Sequence, residues 1–226
     1  LPIPGATDAE KQEVGSRAMA LQEMHTGRRD LISKIERRLQ SSQMSEHKHK
    51  PDWLWADVKI VSGWEKSADK PAGLRGRALT AWAKEQSALS LQRHLDELDV
   101  RLNAGAEVLV ENSEDELRLL INGAPVIELF DKADTPLIAA QWRQFARTTN
   151  ITEKFDGRKL LANILSLRST EDETLKRSII AIDGELQLLD TQIAAAEEQL
   201  NDIIFQLYRL TQEEIELVNK WNSHHE

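Results

Sequence analysis

Eleven apolar residues follow one another in steps that alternate four and three without a break: Leu175, Ile179, Ile182, Leu186, Leu189, Ile193, Ala196, Leu200, Ile203, Leu207 and Leu210. This is a heptad seam, and it predicts one continuous amphipathic helix. A helix of about 39 residues is about 58 Å long at 1.5 Å per residue. Such a helix gains most of its stability by burying its apolar stripe, so it requires a partner. Thr170 and Glu173 read as a capping box at its start. Thr211 and Glu214 read as a second box, opening a short final helix through about Trp221.

The partner nearest in length lies at the other end of the chain. Thr7 and Glu10 form a capping box, and a helix of about 33 residues runs from there to about Gln40. Its heptad positions are Val14, Ala18, Leu21, His25, Arg28, Ile32, Ile35 and Leu39. His25 and Arg28 stand where a coiled coil wants apolar groups, beside Gly27. They mark either a solvated or bent stretch or a polar register pin against the partner helix. The expected fold is mainly α: a long antiparallel coiled-coil arm made by the N- and C-terminal helices, with a middle domain at one end. Self-association through the 175–210 seam, giving a homodimer, is the competing arrangement. The expected divisions are residues 1–45 for the first arm helix, 46–168 for an α+β middle domain, and 169–226 for the C-terminal helices.

Within the middle domain, Ser41–Lys50 is polar and reads as a mobile loop. Pro51 to about Lys70 is irregular but carries Trp53, Trp55 and Trp64, which suits a loop packed onto the body or part of a binding surface. A helix from about Leu74 to Leu102 presents Leu91, Leu95, Leu98 and Leu102. Glu107–Glu111, Glu116–Ile121 and Ala124–Leu129 then read as a three-stranded antiparallel meander, the last two strands joined by Asn122-Gly123. So small a sheet needs a helix on one face. Thr135-Pro136 reads as an N-cap and first helical residue of a helix reaching about Thr148. A second short helix is expected from about Asp156 to Leu167.

Chemistry is sparse. There is no glycine-rich phosphate loop and no nucleophile elbow. The six histidines, at 25, 47, 49, 94, 224 and 225, show no ligand spacing on a helix face. No cysteine is present, which excludes disulfides and thiolate zinc and points to a reducing, cytoplasmic setting. No apolar run approaches the roughly 18–20 residues of a membrane helix. The expectation is a non-catalytic segment with no cofactor of its own and no membrane association. Its Leu1-Pro2-Ile3-Pro4 opening reads like a chain entered in the middle.

Charge is segregated. Glu171–Glu226 carries 13 acidic and 4 basic residues, whereas residues 1–170 hold 25 of each. The acidic C-terminal helix would repel a phosphate backbone. The candidate DNA-binding element is instead the turn at 143–159, where Arg143, Arg147, Lys154, Arg158 and Lys159 surround Thr148, Thr149, Asn150 and Thr152. A helix end, a polar turn and a new helix start of this chemistry can grip phosphates. The alternative is a solvated face with charge pairs inside each helix. A second basic cluster, Arg28, Arg29, Lys34, Arg37 and Arg38, is interleaved with Asp30 and Glu36 and reads as a solvated face.

The run Leu207-Tyr208-Arg209-Leu210-Thr211-Gln212-Glu213-Glu214-Ile215 resembles the ending of large N6-adenine DNA methyltransferases, including type IIG restriction–modification enzymes and BREX-like phage-defence methyltransferases. In that family a long helix leads into a Leu-Tyr-Gly-Leu-Thr-Glu-Glu-Glu-Ile segment. Arg209 replaces the usual glycine, so a different turn is expected there. The Leu1–Pro4 opening and the helix after it are similar to the exit from a target-recognition domain into its helical spacer. The resemblance covers about 90 residues at the two ends, and residues 50–170 fall outside it. It implies that S-adenosylmethionine binding, methyl transfer and base flipping belong to upstream methyltransferase and target-recognition domains. The Pro-Pro-aromatic catalytic motif of adenine methyltransferases is missing here, since no two prolines are consecutive. This segment would then brace the target-recognition domain, clamp DNA or dock a partner.

Overall fold

A computed structural model describes residues 5–48, 58–103, 107–113, 116–129, 134–149, 164 and 166–222. In chain order the elements are α1 (Asp8–Leu39), β1 (Ser45–Lys48), α2 (Val61–Glu65), α3 (Gly76–Asn103), β2 (Val108–Asn112), β3 (Leu117–Ile121), β4 (Ala124–Leu129), α4 (Thr135–Thr148), β5 (Ser166–Ser169), α5 (Glu173–Tyr208) and α6 (Gln212–Asn222). The chain is mainly helical. It divides into two compact units, Leu1–Glu36 with Gly184–Glu226, and Arg37–Asp183.

The first unit is the arm. The long helices α1 and α5 pack together, as their heptads require. Three polar contacts set the direction. Arg17 Nη1 donates to Gln199 Oε1 at 3.2 Å, His25 Nε2 lies 3.1 Å from Glu197 Oε1, and Arg28 Nε donates to Asp190 Oδ1 at 2.6 Å. Residue numbers rise along α1 as they fall along α5, so the pair is antiparallel. His25 and Arg28 therefore meet α5 through partly solvated polar contacts rather than marking a bend. Gly27 does not break α1; a β carbon there would stand 3.9 Å from Leu189 Cδ2, an ordinary contact. Ile35, Leu186 and Ile193 are buried, while Leu200, Ile203, Leu207 and Leu210 are only half-buried.

Capping follows side-chain chemistry. At the start of α1 the Thr7 N–H donates to Glu10 Oε2 at 2.7 Å, and the Glu10 N–H returns to Thr7 Oγ1 at 3.3 Å. Thr211 and Glu214 repeat the exchange at α6, at 2.8 and 3.4 Å. In both boxes the threonine N–H and hydroxyl hold the glutamate carboxyl below the usual carboxylate range. The start of α5 corrects the expected third box. Asp172 is the cap there, its Oδ1 accepting from the Thr174 and Leu175 N–H groups at 2.9 and 3.1 Å. Glu173 turns instead to Lys176, at 2.9 Å. At α4 the N-cap position is Asp134, one residue before the expected Thr135, and its side chain makes no capping hydrogen bond.

The second unit holds the sheet. Strand order is β2-β3-β4, antiparallel throughout, with α4 beside it. Asn122 and Gly123 take φ of 50° and 74°, the pair of positive values that a type I′ hairpin turn demands. Pro125 is tolerated because β4 is an edge strand. Leu117, Leu119, Ile121, Val126 and Ile127 pack with Leu95, Ile138 and Trp142 into one buried cluster. This is the helix-covered face that so small a sheet needs.

The stretch after α1 departs from the expected loop. Ser45–Lys48 is a strand, β1, paired antiparallel with β5 from Ser45↔Ser169 to Lys48↔Ser166. Ser166 and Leu167 accordingly belong to a strand, not to the end of a short helix. The remainder of that expected helix, from Asp156, lies outside the described residues except Ile164, which is buried. Trp53 and Trp55 also lie outside them. Trp64 sits on α2 and meets Trp82 edge-on at 5.9 Å, with Lys59 Nζ 4.6 Å from its ring centre.

Candidate nucleic-acid interface

Arg143 and Arg147 stand one turn apart on α4 and reach the same carboxylate. Arg143 Nη2 lies 2.8 Å from Asp183 Oδ2, and Arg147 Nη1 lies 2.8 Å from Asp183 Oδ1. Arg143 Nε also donates to Oδ2, at 2.8 Å. Asp183 projects from α5, and its side chain is 2% exposed; those of Arg143 and Arg147 are 17% and 8% exposed. The charge pairs therefore run between helices rather than within one solvated helix. Two guanidiniums thus share one buried carboxylate and are themselves largely withdrawn from water.

Arg168 is equally engaged. Its Nη1 donates to the Leu39 carbonyl oxygen at 2.7 Å, closing an otherwise open helix-terminal acceptor of α1. Its backbone exchanges hydrogen bonds with Gln141, whose Oε1 accepts from the Arg168 N–H at 2.7 Å and whose Nε2 donates to the Arg168 carbonyl at 2.9 Å. A side chain of α4 thus continues the hydrogen bonding of β5. Lys154, Arg158 and Lys159 lie outside the described residues. Of the five candidate DNA-binding residues, Arg143 and Arg147 are brought together, around an acid that sequence reasoning passed over. The available signal was two arginines at i and i+4 on an otherwise uncharged helix, a spacing that lets both serve one carboxylate.

Beside this network lies a cavity of about 350 Å³ lined by Leu39, Gln141, Trp142, Phe145, Thr149, Ser166, Leu167 and Arg168. Among the described residues its lining holds no carboxylate and no imidazole, so they assemble no acid–base pair there. Among them also, no group of three or more His, Cys, Asp and Glu side chains converges on a metal position. No helix of the described residues is long and apolar enough to cross a membrane.

The turn carrying the family resemblance has a distinct geometry. Arg209 adopts φ of 52°, the left-handed region that glycine favours. Its N–H donates to Gln206 O and the Leu210 N–H donates to Phe205 O, both at 3.0 Å, which is a Schellman motif. A glycine-type turn is therefore built on Arg209. Arg209→Gly should relieve the steric cost of a β carbon there and stabilise the tip of the arm by about 1 kcal/mol. Hydrogen exchange of the Leu210 amide reads the change directly; faster exchange in the variant would contradict it. Compared with protein-family models, with curated proteins and with solved structures, the chain matches none.

Proposed function

We propose that this chain is a non-catalytic helical spacer with a DNA-clamping or partner-docking role, belonging to a DNA adenine methyltransferase or restriction–modification enzyme. The observation that carries the spacer role is the antiparallel pair α1 and α5, registered by Arg17, His25 and Arg28 on Gln199, Glu197 and Asp190. A two-helix arm of this kind holds other elements at a set distance without chemistry of its own. The glycine-type turn at Arg209 is compatible with the resemblance to methyltransferase endings, in which a glycine stands at that position. S-adenosylmethionine and the target base would be handled by the parent's upstream domains.

DNA contact is assigned to the basic turn, with Lys154, Arg158 and Lys159 as the cations for phosphate, since Arg143 and Arg147 are engaged by Asp183. The test is duplex binding by fluorescence anisotropy across a salt series. Lys154→Ala/Arg158→Ala/Lys159→Ala should weaken binding and lower the salt slope by roughly 1 for each phosphate that the protein ceases to neutralise. An unchanged slope would remove the turn from the mechanism. Arg143 and Arg147 are unsuitable probes, since truncating them removes two ionic contacts of the buried Asp183.

A second reading, a structural coiled-coil adaptor without nucleic-acid affinity, is favoured by that same engagement of Arg143 and Arg147 with Asp183. It calls for no DNA binding even at low salt, and for a dimer through the 175–210 seam in light scattering.

A further inference from the structure

Strand β5 turns an edge toward α4 that side chains of α4 fill only in part. The Gln141 amide takes both backbone groups of Arg168. In an antiparallel pair the backbone groups of alternate residues point to the same side. The N–H and carbonyl of Ser166 therefore face away from β1, as those of Arg168 do. On that side the Trp142 Nε1–H donates to the Ile164 carbonyl. Ser166 lies between these two anchors, and among the described residues nothing from α4 bonds to its N–H, its carbonyl or its hydroxyl.

That gap is the cavity of about 350 Å³, and every residue lining it belongs to the Arg37–Asp183 unit. Its inner wall is apolar: Trp142 is 1% exposed and Leu167 2%. Its outer wall is polar. Ser166 is exposed, and Thr149 and Arg168 are half-buried. Arg168 supplies the charge. Its Nη1 is held by the Leu39 carbonyl at 2.7 Å, which places the guanidinium at the wall of the cavity. A guanidinium is a fork of several donors. No other group among the described residues accepts from it, and Glu46, opposite Arg168 in the strand pair, forms no ion pair with it. The Thr149 hydroxyl is likewise without a partner among them.

These groups select the occupant. The volume stands at the small end of the range for ligand sites, roughly 300–1,000 Å³. A phosphate ester would set more than one negative charge against a single cation and leave the apolar wall uncovered. A neutral apolar molecule would leave the guanidinium unanswered. An extended peptide finds one open strand residue between two blocked ones, too little for strand addition. A carboxylate matches the arginine fork and one positive charge. We propose that the cavity between α4 and β5 binds a small organic carboxylate with a flat apolar body about one ring in size. The ring lies against Trp142 and Phe145, and the carboxylate accepts from Arg168 and the Ser166 N–H. This site goes beyond the spacer reading and does not rest on it.

The test titrates phenylacetate into the full chain and follows proton–nitrogen correlation spectra. Phenylacetamide, acetate and inorganic phosphate are the comparisons: the body without charge, the charge without body, and a bare anion. Phenylacetate should saturate one site at least about tenfold more tightly than any comparison, moving the Ser166 amide and Trp142 indole signals. Arg168→Gln should weaken it at least about tenfold. Because that variant also gives up the Leu39 contact, Ser166→Phe is the second probe. It places a strand-favouring ring at an exposed position, so the thermal midpoint should hold while phenylacetate binding is lost. Equal binding of phenylacetamide would reduce the site to an apolar gap and overturn the proposal. Equal binding of phosphate would reduce it to an anion contact and do the same. So would affinity unmoved by Ser166→Phe, or the absence of saturable phenylacetate binding. Duplex binding in the salt series depends on other residues and stands or falls separately.

Discussion

Asp183→Ala should lower the stability of the Arg37–Asp183 unit by about 3–5 kcal/mol, the usual effect of removing one partner of a buried ion pair. At roughly 2–4 °C per kcal/mol for a unit of this size, the thermal midpoint by circular dichroism should fall by about 6–20 °C. The cause is what remains behind. Arg143 and Arg147, with side chains 17% and 8% exposed, would stay largely buried after the carboxylate they share is gone. Asp183→Asn, which keeps the shape and part of the hydrogen bonding, should lose less. The triple change Arg143→Met/Arg147→Met/Asp183→Leu should recover most of the stability, since apolar replacements of similar volume spare the desolvation of three ions. An effect below about 1 kcal/mol for Asp183→Ala would put the network among exposed ion pairs and remove it as a tie between α4 and α5.

Trp142→Ala should cost about 3–5 kcal/mol, the range for truncating a large aromatic side chain in a core. Trp142 is 1% exposed, and its cluster includes residues of β3 and β4. Its Nε1–H also donates to the Ile164 carbonyl at 3.0 Å. Trp142→Phe isolates that second contribution: most of the packing stays, and a buried acceptor loses its donor at about 1–3 kcal/mol. Urea unfolding followed by far-UV circular dichroism measures both. Leu188→Ala, at a side chain 62% exposed, is the internal comparison and should stay within about 0.5 kcal/mol of the parent. A Trp142→Ala effect no larger than that of Leu188→Ala would mean that the sheet is not held by α4.

Legibility in the sequence tracked locality. Heptad spacing located α1 and α5 to within a few residues, and Asn122-Gly123 located the β3–β4 turn, because both signals lie within a few residues of what they specify. The capping boxes at Thr7 and Thr211 formed as expected. The one expected at Thr170 did not, because Asp172 lies closer to the open N–H groups of α5 and its carboxylate takes two of them. The strand pair β1–β5 left no trace in the sequence. Ser45–Lys48 and Ser166–Ser169 lack an alternating apolar pattern, and the pairing joins residues more than a hundred positions apart. Its support is also nonlocal: the Gln141 amide bonds to the Arg168 backbone, and the Arg168 guanidinium bonds to Leu39.

The candidate site divides the same way. Its basic composition was plain from Arg143 to Arg168, and the i, i+4 spacing put Arg143 and Arg147 on one face of α4. What that face meets was not written nearby, because Asp183 follows 36 residues after Arg147 and sits between apolar neighbours on a helix whose pattern announces only burial.

By itself, then, the sequence determined helix lengths, the capping boxes at Thr7 and Thr211, the hairpin and the segregation of negative charge toward the C-terminal end. These depend on backbone preference and side-chain period over one or two turns, which neighbouring residues specify. Tertiary structure alone decided that a polar strand pair forms and that two arginines turn their charge to a buried aspartate. Those outcomes depend on which distant groups are brought within hydrogen-bonding reach of one another, and local pattern carries no record of that choice.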